Sequence, residues 1–281
     1  MTDAADRLGV EPERRESVVP PRGAIAAAAA TLAAGGLEEP RREAVRLWRE
    51  LAGRPNADFQ VAVARRAGGE PLAYVTGQAG FRHLLLGADR RALIPRPETE
   101  QLVELILGVA PDGRVADVGT GTGCIALSLA IEGRYRDVLA IERCGAALSL
   151  ARENRTQVGA AVVRLIQGDL TESLAAASLD ALVSNPPYLT DAEWREADTS
   201  VRSWEPTEAL ASGPDGLEHT SRILADGRRV LRPGGWLALE LDCRRAAAVA
   251  RRAVELGWTR VQVTRDLFGR ERFLLARRSE P

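Results

Sequence analysis

The stretch Leu179-Asp180-Ala181-Leu182-Val183-Ser184-Asn185-Pro186-Pro187-Tyr188 sets the frame for the rest of the chain. Its apolar part, cut off by an asparagine and two prolines, predicts a buried strand that stops abruptly. Each proline locks its own φ, and Pro187 also restrains Pro186, so Asn185 and Tyr188 project from a stiff backbone. Neither proline has an N–H to offer, and the loop presents its carbonyls as acceptors. One amide side chain, free carbonyls and an aromatic face together form a receptor for an NH₂ group. Standing alone, Asn-Pro-Pro would be read as a strand-ending turn.

It does not stand alone. From Arg114 onward, short β-rich runs alternate with helical ones. Strands are predicted at residues 114–118, 137–142, 162–167, 179–184, 236–241, 259–264 and 271–276, with helices between the first five. Such alternation predicts an α/β fold, a doubly wound, mostly parallel sheet whose ligands sit beyond the carboxyl ends of the strands. Asn185 lies at one of those ends.

Asp117-Val118-Gly119-Thr120-Gly121-Thr122-Gly123-Cys124 follows the first of these strands and opens a helix. Glycines let the backbone pass close beneath a ligand, and free N–H groups at a helix start hold its negative end, so a nucleotide-like ligand is expected on Gly119, Thr120, Gly121, Thr122 and Gly123. The dinucleotide fingerprint asks for Gly or Ala where Cys124 stands, which weakens a dehydrogenase reading. Glu142 ends the second strand, 19 residues past Gly123, where a carboxylate can take both hydroxyls of a ribose. Asp169 and Leu170, after the third strand, fall where the base would lie, although Gly168-Asp169 also makes a plain turn.

Toward the amino terminus, residues 1 to about 22 are polar, end in Pro20-Pro21 and are expected to be loosely ordered. Helices are predicted at 24–34, stopped by Gly35-Gly36, at 40–51 and at 57–67, giving a small helical domain over residues 1–70. Residues 71–95, with stretches such as Leu72 to Val75 and Phe81 to Leu86 between Gly and Pro, predict a β-hairpin linker, and residues 96–281 the α/β domain. Thr99 is placed to cap a helix running to about Val109, and Arg96 and Glu98 read as a solvated pair.

Composition narrows the function classes. The 281 residues, 45% of them hydrophobic, suffice for two domains. All 38 basic residues are arginines, nearly cancelled by 39 acidic ones, so no electrostatic footprint for nucleic acid is expected. Three isolated cysteines and two histidines predict no metal site, no disulfide framework and a reducing compartment. The alanine-rich run 24–34 is about half the ~20 residues of a membrane span, and the first twenty residues do not look like an export signal, so a soluble cytoplasmic protein without a membrane partner is expected.

Taken together, Asp117 to Gly123, Glu142, Asp169 and Asn185 to Tyr188 resemble the class I S-adenosylmethionine-dependent methyltransferases, and the Asn-Pro-Pro-Tyr form resembles those acting on amide or amino nitrogens. The likeness sharpens elsewhere. Gly69-Glu70-Pro71-Leu72-Ala73-Tyr74, Leu93-Ile94-Pro95-Arg96-Pro97-Glu98-Thr99-Glu100, Trp204-Glu205-Pro206 and Asp215-Gly216-Leu217 look like the N5-glutamine methyltransferases of peptide chain release factors, over roughly residues 40 to 276. Three departures stand out: Glu142 where the family usually has Asp, Asp242-Cys243-Arg244-Arg245 in place of the usual continuation of Glu240, and Leu170 where some relatives carry an aromatic residue.

The resemblance implies a seven-stranded Rossmann-like sheet with its last strand antiparallel, and S-adenosyl-L-methionine held by the glycine turn, Glu142, Asp169, Leu170 and Asn185. It implies a release factor as protein substrate, its Gly-Gly-Gln glutamine gripped by Asn185, Pro186, Pro187 and Tyr188, with Asn185, Pro186 and Tyr188 acting in the transfer. The helical domain and the segment 189–220, including Trp194 and Trp204, would dock that partner. Competing expectations are a ribosomal protein glutamine or a nucleic-acid base as acceptor, the latter disfavoured by 4% aromatic content, and a non-catalytic cofactor-binding relative.

Overall fold

A computed structural model describes residues 20–51 and 56–280. Most of the amino-terminal stretch expected to be loosely ordered, residues 1–19, lies outside the described residues. The chain forms two compact units, Met1–Thr76 and Gly77–Pro281.

In the first unit, helices α1 (Ala24–Ala34), α2 (Pro40–Glu50), α3 (Asn56–Ala67) and α4 (Leu72–Thr76) bury Leu32, Leu47, Phe59, Val63 and Val75 against one another. Pro40 stands at the first position of α2, where its missing N–H costs nothing. Trp48 meets Phe59 edge to face at 4.9 Å. The stretch expected to be extended at Leu72–Val75 is instead the helix α4. Pro71 starts its turn by accepting from the N–H groups of Tyr74 and Val75, both at 3.0 Å, and Arg65, forked onto Glu70, donates to the carbonyls of Tyr74 and Val75 at the other end.

The second unit opens with a hairpin, β1 (Gln78–Phe81) and β2 (Leu84–Gly87). Phe81–Leu86 is therefore not one strand, as its apolar content suggested. Phe81 pairs with Leu84 across a tight turn in which Arg82 takes a φ of 50°. The Arg82 guanidinium forks onto Glu132 at 2.7 and 2.6 Å and the Arg82 backbone N–H donates to the Glu100 carboxylate, contacts that hold a backbone conformation residues other than glycine rarely adopt. Phe81 and Leu86 belong to the main core of this unit.

There follow α5 (Pro97–Val109), β3 (Asp112–Val118), α6 (Cys124–Glu132), β4 (Arg134–Glu142), α7 (Gly145–Val158), β5 (Val163–Gln167) and β6 (Leu179–Ser184). Next come α8 (Asp191–Glu196), α9 (Thr199–Trp204), α10 (Glu218–Val230), β7 (Leu231–Glu240), α11 (Ala246–Glu255), β8 (Trp258–Arg265) and β9 (Glu271–Arg278). The seven strands line up β5-β4-β3-β6-β7-β9-β8, parallel from β5 to β7, with β9 antiparallel to both neighbours. The seven-stranded, mostly parallel sheet expected from the alternation is thus present.

Helices on both faces leave no wet side, so all six residues of β6 are buried, including Asp180, which accepts from the Arg114 N–H, and Ser184 at its end. Period-2 alternation sends Ala181 and Val183 into one core layer and Leu182 into the other, and Leu179 joins Leu182 across the register shift between Leu179 and Ala181. Strand order reverses between β3 and β6. Chains leaving these two strands diverge to opposite sides and open a crevice at their carboxyl ends.

Candidate active site

The glycine turn leaves β3 at that crevice. Asp117, fully buried, accepts from the Thr120 hydroxyl at 2.6 Å and the Ala126 N–H at 3.1 Å through Oδ2, tying the turn to the first residues of α6. Its Oδ1 has no partner among the described residues. Burial pushes this carboxyl from its ordinary range up to about 7, the two hydrogen bonds offsetting part of the effect. Gly119 has a φ of 73°, open to glycine at no cost, and nothing lies within 4 Å of where a Cβ would stand there, which leaves room over the turn for a ligand chain.

Beside the turn, Glu142 at the end of β4 accepts from the Gly121 N–H at 3.0 Å and the Cys144 N–H at 2.9 Å, one on each oxygen. Each oxygen keeps a lone pair for a hydroxyl. Gly168 donates to the Glu142 carbonyl at 3.1 Å and brings the turn after β5 alongside. In that turn Asp169 pairs with Arg222 of α10 at 2.6 Å, and Leu170, at a φ of 46°, packs onto the core.

On the other side of the crevice the Asn-Pro-Pro-Tyr corner is fixed at both ends. Ser184 donates to the Val118 carbonyl at 2.6 Å, binding the end of β6 to the end of β3, and Tyr188 and Leu189 donate to Leu210 at 3.1 and 2.9 Å. Pro186 is buried and Asn185 half-buried. The Asn185 Nδ2 donates to the Thr99 hydroxyl at 3.1 Å, and that hydroxyl donates to Glu240 at 2.7 Å. Glu240 ends β7, the strand next to β6. Burial raises the Tyr188 phenol to about 12, so the ring stays neutral at any working pH.

Thr99 is therefore not the helix cap it was expected to be: Arg96 holds that position and Pro97 the first turn, while Thr99 faces the asparagine. Arg96 and Glu98 are not a solvated pair with each other either. Arg96 binds the buried Glu205 at 2.6 Å, joining the lead-in to the Trp204-Glu205-Pro206 segment, where Arg90 lies 3.9 Å over the Trp204 ring; Glu98 lies 3.5 Å from Arg270. The Asp242–Arg245 departure forms a clamp. Arg245 holds both oxygens of Glu193 at 2.8 Å and contacts Asp242 at 3.2 Å, and Glu193 completes the capping box of α8. Among the described residues no His, Cys, Asp and Glu cluster is set to hold a metal, and no helix is long and apolar enough to cross a membrane.

Adjacent strand ends thus carry, in order, the Glu142 carboxylate, a glycine turn with room above it, the Asn185 amide and the buried Glu240 carboxylate. Fold and site together are those of a class I S-adenosylmethionine-dependent methyltransferase. The methyltransferase small domain model matches residues 98–201. Two solved structures share the fold: the hMettl16 catalytic domain in complex with a MAT2A 3′UTR hairpin (TM-score 0.59, 20% identity, 78% of this chain and 81% of that one), and a methyltransferase from Pyrococcus furiosus (TM-score 0.52, 20% identity, 69% and 88%). Curated relatives include the release factor glutamine methyltransferases from Nitratidesulfovibrio vulgaris, 42% identical over 79% of this chain and 77% of that one, and from Moorella thermoacetica, 41% identical over 92% and 99%. The chain belongs to the release factor glutamine methyltransferase family. The residues present fit S-adenosylmethionine as methyl donor: an open glycine turn, a free buried Asp117 oxygen and the Glu142 carboxylate.

Proposed function

We propose that this protein methylates the side-chain amide nitrogen of the Gly-Gly-Gln glutamine of a peptide chain release factor, giving N5-methylglutamine. The observation that carries the reading is the Asn185 amide, fixed through its Nδ2 beside the glycine turn, with its Oδ1 left for a substrate N–H.

Glu142 would take the ribose hydroxyls, in charge-assisted bonds of about 1.5–3 kcal/mol each, the glycine turn would hold the methionine chain, and Asp169 and Leu170 would hold the adenine. The donor, when bound, supplies a methyl on a sulfonium sulfur. An amide nitrogen is a poor nucleophile, because uncoupling its lone pair fully costs on the order of the ~18–20 kcal/mol rotation barrier. Asn185 Oδ1 and the Pro186 carbonyl accept both of its N–H bonds, which holds the nitrogen in line and favours the polarised, partly pyramidal form as positive charge develops. Alignment contributes up to ~7–11 kcal/mol in well-oriented cases. Transfer to the nitrogen held by Asn185 and Pro186 would form the N–C bond as the S–C bond of the donor breaks, and one amide proton would pass to water. Tyr188 packs against the glutamine and the cationic methyl, worth about 1–2 kcal/mol. The helical unit and the segment 189–220 are assigned to release factor docking.

Incubation with a purified release factor and mass measurement of its Gly-Gly-Gln peptide tests this. A gain of one methyl on glutamine is expected, absent for Asn185→Ala and for a substrate with Glu in place of Gln, which offers no N–H. An unmodified peptide with the wild-type protein, or full turnover by Asn185→Ala, refutes it.

A further inference from the structure

Asparagine presents an oxygen or an NH₂ to a substrate according to which way its amide is turned, and only the oxygen can grip a glutamine NH₂. What fixes that turn is a chain of three groups from three distant elements. Resting on the function proposed above, we propose that Thr99 and Glu240 are positioning residues that set the polarity of the Asn185 amide. The Glu240 carboxylate can only accept, so it takes the Thr99 hydroxyl proton at 2.7 Å. Thr99 Oγ1 is left to accept, and it draws the Asn185 Nδ2 to 3.1 Å. With Nδ2 committed to the wall, Oδ1 faces the crevice. Thr99 and Glu240 are both buried, so no water competes for the task.

Protonation reverses the chain. A neutral Glu240 donates, the Thr99 hydroxyl is freed to donate in turn, and the Asn185 amide is no longer compelled to show its oxygen. The groups facing Glu240 are Thr99 and Glu98 of α5, Arg96 just before it, Cys124 of α6, Tyr188 after β6 and Arg272 of β9, whose guanidinium lies 3.8 Å away. Burial raises the Glu240 carboxyl to about 7, against the pull of Thr99 and Arg272. Ionised above that value and neutral below it, Glu240 confers an acid limb on turnover near neutrality.

The test uses the full-length protein with saturating donor and release factor, reading kcat and KM from methylated peptide between pH 5.5 and 9. Thr99→Val, which keeps the shape and loses the hydroxyl, is expected to lower kcat by roughly ten- to a hundredfold with little change in KM or donor affinity, as for other residues that orient a working group. Thr99→Ser restores kcat. Glu240→Gln, whose amide can donate or accept, lowers kcat and abolishes the acid limb. Thermal melts and donor titration establish that each variant is folded, and Thr99→Ser and Glu240→Gln decide the matter should Thr99→Val not fold. Wild-type kcat in both Thr99→Val and Glu240→Gln, with Asn185→Ala inactive, overturns the inference and leaves the proposed function standing. So does an acid limb unchanged in Glu240→Gln. No methylation by the wild-type protein at any pH overturns both.

Discussion

Asp117 shows how a single residue can trade stability for a ligand. Its carboxyl is buried with one oxygen unpaired, and its folded value is about 7 against an ordinary 3.8. A folded value above the unfolded one means that the contribution of this group to stability is complete below about 3.8 and is lost as pH rises through 7. Asp117→Asn, which keeps an acceptor for Thr120 and Ala126, is therefore expected to melt above the wild type at pH 8, with the gap closing toward pH 4. Its affinity for S-adenosylmethionine is expected to fall. Melting temperatures across that range decide the point, and a gap independent of pH would count against it. Asn185, the glycine turn and Glu142 were legible as single residues because each ends an apolar strand, and strand ends are where such sheets bind ligands. Thr99 was not. It sits in a polar run that resembles a helix start, and its partners Asn185 and Glu240 lie 86 and 141 residues away. Glu240 did carry a signal, an acid at the end of a strand like Glu142, but pattern alone does not say which strand ends share a crevice.

At the level of elements, periodicity was enough for all seven strands of the main sheet, since β-rich runs and helical runs differ over lengths of five residues or more. Short pieces escaped it. The five-residue α4 and the turn of the β1–β2 hairpin are set by Arg65, which donates to the carbonyls of Tyr74 and Val75, and by Arg82, whose partner Glu132 lies 50 residues away, contacts that hydrophobic periodicity does not weigh. The same holds for the lead-in to α5, which depends on Arg96 and Glu205, 109 residues apart in the chain. The Glu205 side chain is 3% exposed and that of Arg96 33%. Removing the arginine strands a buried carboxylate, which costs about 3–5 kcal/mol where burial is complete, and water reaching the exposed third of Arg96 brings the expected loss for Arg96→Ala to about 2–3 kcal/mol. Glu205→Gln alone is expected to cost less, and the double substitution less than the sum of the two. Urea unfolding of the three variants measures this. Strict additivity would show that the two side chains do not depend on each other.

The whole molecule consists of two units with separate cores: Leu32, Leu47 and Phe59 centre one, and the two layers around the seven-stranded sheet the other. Every residue assigned above to cofactor or glutamine lies in the second unit. A helical unit of this size buries a smaller fraction of its surface than the larger α/β unit and is expected to melt first. Calorimetry of the full chain should then show two transitions. A product-like ligand such as S-adenosylhomocysteine at 100 times its Kd adds about 2.7 kcal/mol to whichever unit binds it. For an α/β unit of this length each kcal/mol moves Tm by roughly 2–4 °C, so the upper transition is expected to rise by about 5–10 °C while the lower one stays in place. A common shift of both transitions, or their merger into one, would mean that the helical unit senses the cofactor and that binding at the glycine turn is coupled to the surface assigned here to release factor docking.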